Sequence, residues 1–426
     1  MDNKKHIVVI GGGFAGLEIL KQLSKSKIYD VTLVDLNNYN YFPPLLYQVA
    51  AGFMEPSAIS YPFRKILRPY NNVRFRMDRL IEVVTEENKV ILERGEMTYD
   101  ILVMATGTKA NFFGNDNVEQ NAMAVKSISD ALALRNSYLL RLERASRTKD
   151  DATRKKLLSY VIAGAGPTGV ELSGIFAEMR KNILQKDFPE LKNEDLGDIY
   201  LIDGSDSVLK PMSETAQKYT LKKLLDLGVK VTLNTRVEDF RDDVVYLSNG
   251  TTINSRNLIW TAGVTSRIFA GFKKEDFGQG GRILTDEFNR ILAYENIYAL
   301  GDTALVQGDP SFPEGHPQVA QPAIQQARNL GKNLNRKDKN WKPFRYIDHG
   351  SLAIIGRNKA VADLATPKLR LVGFSAWFIW AFVHIRSLVN FKTKLRTFFD
   401  WVGYYFKKDQ SFRMIIRPTN KPKFQK

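Results

Sequence analysis

The chemistry available to this chain lies in two glycine-rich turns, a few acids placed at strand ends and a pair of glutamines. The first turn is Gly11-Gly12-Gly13-Phe14-Ala15-Gly16. The apolar run Ile7-Val8-Val9-Ile10 leads into it, a helical stretch follows to about Ser24, and a second run, Val31-Thr32-Leu33-Val34, ends at Asp35. Gly11 permits the tight turn, Gly13 lets the backbone approach a pyrophosphate, and Gly16 lets helix and strand pack closely. An acid ending the second strand stands where a ribose hydroxyl is held, so Asp35 takes that role, and Phe14 and Ala15 complete the candidate site.

The same pattern returns as Gly164-Ala165-Gly166-Pro167-Thr168-Gly169, after Tyr160-Val161-Ile162-Ala163. Its second strand, Ile199-Tyr200-Leu201-Ile202, ends at Asp203, but residues 181–197 lengthen the interval beyond the usual ~20 and weaken Asp203 as the ribose anchor. Three other apolar runs stop in small turns: Ile101 to Met104 at Ala105-Thr106-Gly107, Leu258 to Trp260 at Thr261-Ala262-Gly263, and Ile297 to Leu300 at Gly301-Asp302. Two such sites in one chain allow two cofactors to meet, and hydride passage from a nicotinamide to a flavin needs that arrangement. The first site, with Asp35 and the distant Asp302, is then expected to hold FAD non-covalently and the second to take NADH as substrate. An acid at 203 would repel a 2′-phosphate, which favours NADH over NADPH.

The elements that must carry these residues follow from pattern. With 426 residues, 44% of them hydrophobic and 25% charged, the chain is globular and long enough for two or three domains. The expected class is α/β: two Rossmann-like dinucleotide-binding domains, one inserted in the other, followed by an amphipathic helical segment. Residues 1–110 and 265–343 form the FAD-binding domain, 111–264 the NADH-binding domain and 344–426 the membrane-association region. Runs near Val73 to Phe75, Ile81 to Val84 and Val90 to Leu92 predict an antiparallel meander, 129–156 a long helical stretch, and 344–355 β structure. Val244 to Leu247 and Thr251 to Ile253 predict a hairpin around Ser248-Asn249-Gly250. The Pro43-Pro44 pair bars a helix start before Leu45.

Composition excludes several mechanisms. There is no cysteine, so disulfide exchange, thiolate metal sites and iron–sulfur clusters are ruled out. Four widely spaced histidines (His6, His316, His349, His384) make a histidine-built metal centre an unpromising reading, and none is expected. The N-terminus lacks the apolar core of a secretory signal, so residence on the cytoplasmic side is the expectation. Of the net charge of +16, +9 arises from Arg386 onward, where eleven basic residues face only Asp400 and Asp409. Aromatic residues are interleaved there, among them Phe391, Phe398, Phe399, Trp401, Tyr404, Tyr405 and Phe406, which favours a lipid surface over nucleic acid. The uncharged stretch 371–385 is fifteen residues long, short of the ~20 that span a bilayer. Phe374, Trp377, Phe378, Ala381, Phe382, Ile385, Leu388 and Val389 fall on one helical stripe, continued by Phe391, Leu395, Phe398, Val402 and Tyr405. The segment should lie in the interface as a monotopic foot, peripheral to the cytoplasmic face of the cell membrane.

On these residues the sequence resembles the type II NADH dehydrogenases, single-subunit and non-proton-pumping NADH:quinone oxidoreductases of the two-dinucleotide-binding flavoproteins. Both glycine motifs, Phe42-Pro43-Pro44-Leu45-Leu46-Tyr47-Gln48-Val49-Ala50, Thr261-Ala262-Gly263-Val264, Gly301-Asp302 and Gly356-Arg357-Asn358-Lys359-Ala360-Val361-Ala362 match that family's pattern. Most specific is Ala320-Gln321-Pro322-Ala323-Ile324-Gln325-Gln326, which is similar to its quinone-site motif. The resemblance implies that Gln321 and Gln325, four apart on one helical face, line a quinone pocket beside the flavin, and that Ala320 is among the cofactor-binding residues. Glu171, two residues past Gly169, would either assist proton delivery to reduced quinone or stabilise its helix N-terminus. A respiratory-chain role, a membrane quinone as partner and a homodimer are implied by the resemblance alone. The alternatives are a flavin NADH oxidase using oxygen, a ferredoxin-type reductase, and a non-catalytic, membrane-associated dinucleotide-binding sensor.

Overall fold

The run that opens the chain forms the strand Lys5–Ile10, flanked by Ile101–Met104, which stops in a small-residue turn, and by Tyr29–Asp35, which stops at an acid. A computed structural model describes residues 4–191, 196–336, 340–407 and 413–416. They fall into two compact units: Met1–Tyr41, Ser60–Lys109 and Val264–His349 make the first, and Phe42–Ile59, Ala110–Gly263 and Gly350–Lys426 the second.

The first unit is built on a five-stranded sheet in the order Ile297–Ala299, Ile101–Met104, Lys5–Ile10, Tyr29–Asp35, Val73–Met77, with every pairing parallel. Both faces are covered. Ile7 and Val9 pack with Ile19, Leu20, Phe63 and Leu330 on one side, and Val8 and Ile10 with Val90, Met104 and Ile297 on the other. This is why the run is continuously apolar rather than alternating. Each such aliphatic, fully buried, stabilises by roughly 1.5–3 kcal/mol relative to exposure.

The second unit repeats the plan in the order Met123–Ala124, Leu258–Trp260, Tyr160–Ala163, Ile199–Ile202, Val229–Thr232, again all parallel. Each unit also carries a three-stranded antiparallel sheet: Leu80–Val84, Lys89–Leu92 and Gly95–Thr98 in the first, and Val237–Arg241, Val244–Leu247 and Thr252–Asn254 in the second. The predicted hairpin is the pairing of Val244 with Asn254 and Tyr246 with Thr252.

Several expectations need correction. Val73–Met77 is the edge of the parallel sheet, and the third strand of the meander is Gly95–Thr98. The helical stretch 129–156 is two helices, Ile128–Ala145 and Asp151–Leu158, the first started by Ser127 in a capping box with Asp130. Residues 42–59 join the second unit instead of the first, and from 350 the tail belongs to the second unit rather than forming a third. Residues 344–349 form no strand before Gly350, because their polar groups bond to side chains, as described below. The apolar tail begins as the strand Leu369–Gly373 and only then becomes the helix Phe374–Ser387, followed by Phe391–Lys407.

Candidate functional site

In the first unit the C-terminal ends of three adjacent strands converge. Gly11 donates its N–H to Val34 O at 2.8 Å and Ala105 to Ile10 O at 2.8 Å, while Leu300 donates to Met104 O at 2.9 Å. Gly11 has φ +98°, and a Cβ there would collide with Ala105 O, so the turn admits only glycine. Turns 105–107 and 301–303 are joined by the Thr106 and Thr303 hydroxyls at 3.1 Å and by the Gly107 N–H, which donates to Thr303 Oγ1 at 2.9 Å. Asp302 accepts from the Thr108 hydroxyl at 3.4 Å, and Gly301 donates its N–H to the buried Gln326 amide oxygen at 2.6 Å. This crevice outside the carboxyl ends of parallel strands is where open α/β sheets bind ligands.

The second unit builds the same device. Gly164, φ +104°, donates its N–H to Ile202 O at 2.8 Å, and a Cβ there would come within 2.7 Å of the Ala262 backbone. Asp35 accepts from the N–H of Gly12 at 2.7 Å and of Asn37 at 2.7 Å, and Asp203 from Ala165 at 2.5 Å and Ser205 at 2.6 Å. The insertion that counted against Asp203 lies between the helix Pro167–Met179 and the strand Ile199–Ile202. The strand pairing of Ala163 with Ile202 is unaffected, and Asp203 arrives where Asp35 does. Burial pushes the Asp35 carboxyl up from its usual value, and the N–H groups of Asn37 and Gly12 draw it back.

Both cradles fit a dinucleotide. A Cβ on Gly13 or Gly166 would meet nothing within 4 Å, so the backbone there is open to a ligand, whereas one on Gly16 or Gly169 would strike the carbonyl oxygen of Gly11 or Gly164. Neither helix, Phe14–Leu23 or Pro167–Met179, has a side-chain cap, and Pro167 and Thr168 are exposed. Both helices therefore turn an uncapped, positive dipole end towards the turn, which favours phosphate oxygens. Asn40, which the sequence reading did not single out, is buried and donates to Gly12 O at 2.8 Å.

Gln321 and Gln325 share one face of the helix Ala320–Leu334, and both hold the segment 346–349. Gln325 pairs with Ile347 as a strand would, donating to its carbonyl at 2.8 Å and accepting from its N–H at 3.0 Å. Gln321 Oε1 accepts from the His349 N–H at 3.0 Å and the Tyr346 hydroxyl at 3.3 Å. The neighbouring Gln326 was missed because it lies off their face, towards Gly301.

Glu171 is the fifth residue of Pro167–Met179, past the first turn, which contains no acid, so it is not a cap for the helix dipole. Gly174 explains its setting. A Cβ at 174 would strike Ile355 O, so only glycine lets the strand Gly350–Gly356 lie against the helix. The Ile354 N–H then reaches Glu171, but burial outweighs this bond and pushes the carboxyl well above its usual range. Glu171 opens onto a pocket of about 630 Å³, open mouth included, walled by Gln48, Glu178, Trp377, Trp380 and Trp401 among others. Gln48 is fixed there, donating to the Tyr47 hydroxyl at 2.8 Å and accepting from Trp401 Nε1 at 2.8 Å. Glu178, two turns beyond Glu171, accepts from the Arg357 N–H at 2.7 Å and lies 3.6 Å from Lys359 Nζ. Gln48 and Glu178 were visible in the sequence only as parts of motifs. Among the described residues no cluster of histidine or acid side chains could hold a metal.

The C-terminal helices turn apolar side chains outward. Phe374, Phe378 and Phe382 form an exposed line, while Ala376, Trp380 and Ala381 face inward. In the next helix Thr393 and Thr397 are buried, and Phe391, Leu395, Phe398 and Phe399 are exposed. Ala381 and Leu388 of the predicted stripe are therefore on the inner side, and the side chains of Tyr404, Tyr405 and Phe406 lie outside the described residues. No described helix is long and apolar enough to cross a membrane.

Comparison with known proteins places this geometry. Residues 5–327 match the pyridine nucleotide-disulphide oxidoreductase family, and 349–408 match the NDH2 C-terminal domain. Two proteins of Mycobacterium tuberculosis are similar over most of their length. The type II NADH:quinone oxidoreductase Ndh is 33% identical over 415 residues, with 93% of this chain and 87% of that protein covered. NdhA, of the same description, is 31% identical over 411 residues, covering 93% and 86%. The structure of NDH2 from Plasmodium falciparum in complex with NADH superposes with a TM-score of 0.88 at 23% identity, over 97% of this chain and 100% of that one. The absence of cysteine removes the disulphide chemistry in the broader family's name. The chain belongs to the type II NADH dehydrogenases, FAD-dependent oxidoreductases within the pyridine nucleotide-disulphide oxidoreductase family.

Proposed function

We infer that this protein is a non-proton-pumping NADH:quinone oxidoreductase, passing hydride from NADH to FAD and two electrons on to a membrane quinone. The observation that carries the reading is the duplicated cradle, in which Asp35 and Asp203 take the N–H of the turn residues Gly12 and Ala165. Bound FAD supplies the ability to accept a hydride and return an electron pair to a second substrate. The protein binds and orients. The turn N–H groups and helix starts at Gly13 and Gly166 hold pyrophosphates, and Asp35 and Asp203 keep lone pairs for ribose hydroxyls. Ala105, Thr106, Gly107, Gly301 and Asp302 bound the flavin crevice, and Ala262 and Gly263 the nicotinamide one.

The Glu171 pocket is the proposed quinone chamber. Its tryptophans offer an apolar slot that excludes water, and a carboxyl kept protonated by burial can donate to a quinone oxygen. Gln321 and Gln325 act by positioning, since their amides order 346–349. The outward aromatic face, with Lys392 and the other cations of the tail, supports a peripheral seat on the cytoplasmic leaflet, where a lipid-dissolved acceptor has a short path. A homodimer is supported by the resemblance.

The test is NADH oxidation by purified, FAD-loaded protein with and without a short-chain quinone. Oxidation that depends on quinone and persists without oxygen supports the reading. Turnover that needs oxygen and ignores quinone would assign an NADH oxidase, and no turnover with bound flavin present would favour the sensor.

A further inference from the structure

We propose that Asp400 is a proton-donating residue of the quinone chamber, handing a proton to an oxygen of the acceptor reduced there. The proposal rests on the chamber assignment above and adds a residue that neither glycine motif nor glutamine pair contains.

Asp400 is the one acid in the helices Phe374–Ser387 and Phe391–Lys407. It follows Thr393 and Thr397 on the inward stripe of its helix, with Phe398, Phe399 and Val402 turned outward. A carboxyl kept on a helix whose outer face is apolar is costly unless it is paired or used. One of its oxygens, Oδ2, is fully buried and has no hydrogen-bond partner. Trp380, 1% exposed, lines the same pocket, and its Nε1–H is also buried without a partner. Buried polar atoms in a native fold are nearly always satisfied, so unmet groups at one pocket point to a ligand that meets them. The Trp380 N–H is a donor, as are the carboxyls of Asp400 and Glu171 when they carry a proton, and a quinone presents two carbonyl acceptors on a flat ring suited to a slot walled by Trp377, Trp380 and Trp401.

The surroundings set the acid's proton affinity. Burial pushes the Asp400 carboxyl up; Arg396, one turn back on its own helix, opposes this, and Glu55 adds to it. Arg396 is itself engaged by Glu55 at 2.7 Å. From the other walls come Glu171 and Glu178, Arg357 just past the strand Gly350–Gly356, and His384, stacked on Trp380 at 4.2 Å and kept neutral by burial, which pushes it down to about 4. In the step proposed, the Asp400 O–H bond breaks and a quinone O–H bond forms. The electron pair originates in NADH, Glu171 gives the second proton, and solvent water reprotonates both carboxylates. Overall NADH, one proton and quinone yield NAD⁺ and quinol.

The test compares Asp400→Asn and Asp400→Glu with wild type as FAD holoenzymes in detergent. It reads anaerobic flavin bleaching by NADH and the pH profile of quinone-dependent kcat. Asp400→Asn should change bleaching less than twofold but lower kcat about a hundredfold or more near neutral pH, the range of a lost general acid. It should also change the alkaline limb of kcat to the one set by Glu171 alone, and Asp400→Glu should recover both. Unchanged kcat and profile in Asp400→Asn would overturn the proposal, as would Asp400→Glu remaining as slow as Asp400→Asn with the wild-type profile, the signature of a packing role. If Asp400→Asn loses FAD, Asp400→Glu decides: a shifted alkaline limb supports the proposal and an unshifted one overturns it. Wild type that bleaches with NADH but reduces no quinone would overturn the chamber reading itself, recognisable without any variant.

Discussion

Glu171 holds its proton because Gly174 lets a strand close over it, and the consequence is a pH-dependent stability. Its folded pKa is raised above the unfolded value, so the native state retains a proton that the unfolded chain releases. Its stabilising contribution is complete below the unfolded value, about 4.3 for a free glutamate, and is lost as pH rises through the raised folded value. Thermal melts should therefore show wild type losing more stability than Glu171→Gln as pH rises above about 4.3, the value of a free glutamate, and parallel curves would contradict this. The glycines predict a sharper contrast. Gly16→Ala places a Cβ against Gly11 O and should cost about 1–3 kcal/mol with loss of bound FAD. Gly166→Ala meets no atom, so the melting temperature should hold while the KM for NADH rises several-fold, because only the phosphate approach is lost. Equal destabilisation by both would contradict the cradle geometry. The glycines and strand-end acids were legible since their roles depend on type and spacing. Glu178, Trp380 and Asp400 were not, because a pocket assembled from segments hundreds of residues apart leaves no periodic mark.

Among the elements, the strands ending in small turns were readable because fully buried parallel strands are continuously apolar. Val73–Met77 was misread: Arg74 and Arg76 gave it an alternating pattern, which an edge strand also tolerates. Segment 344–349 was read as a strand from Phe344, Tyr346 and Ile347, but its backbone finds side-chain partners instead. Tyr346 N–H donates to Asp309, itself 2.9 Å from His316, and Gln325 takes both polar groups of Ile347. Gln325→Ala removes two hydrogen bonds worth about 1 kcal/mol each, so a destabilisation of roughly 1–3 kcal/mol is expected in denaturant titrations. Quinone KM should rise with it while flavin bleaching by NADH is spared. An effect on KM with no loss of stability would return Gln325 to direct quinone contact.

For the whole molecule, the domain changes near 110 and 264 were visible where one glycine motif's strands end and the next begin. The placement of 42–59 was not, because an aromatic loop carries no sign of the unit it packs on. The outward aromatic line of the tail predicts interfacial binding. Phe378→Ser with Phe382→Ser should reduce co-sedimentation with anionic vesicles at least fivefold and leave anaerobic flavin bleaching unchanged, and undiminished binding would move the foot elsewhere. The central claim is that one chain takes electrons from NADH and delivers them to quinone through a bound flavin. Anaerobic stopped-flow mixing tests it most directly. NADH should bleach the flavin band, and a second mix with a short-chain quinone should restore it with one quinol formed per NADH consumed. A band that bleaches and then stays bleached until oxygen is admitted would contradict the account.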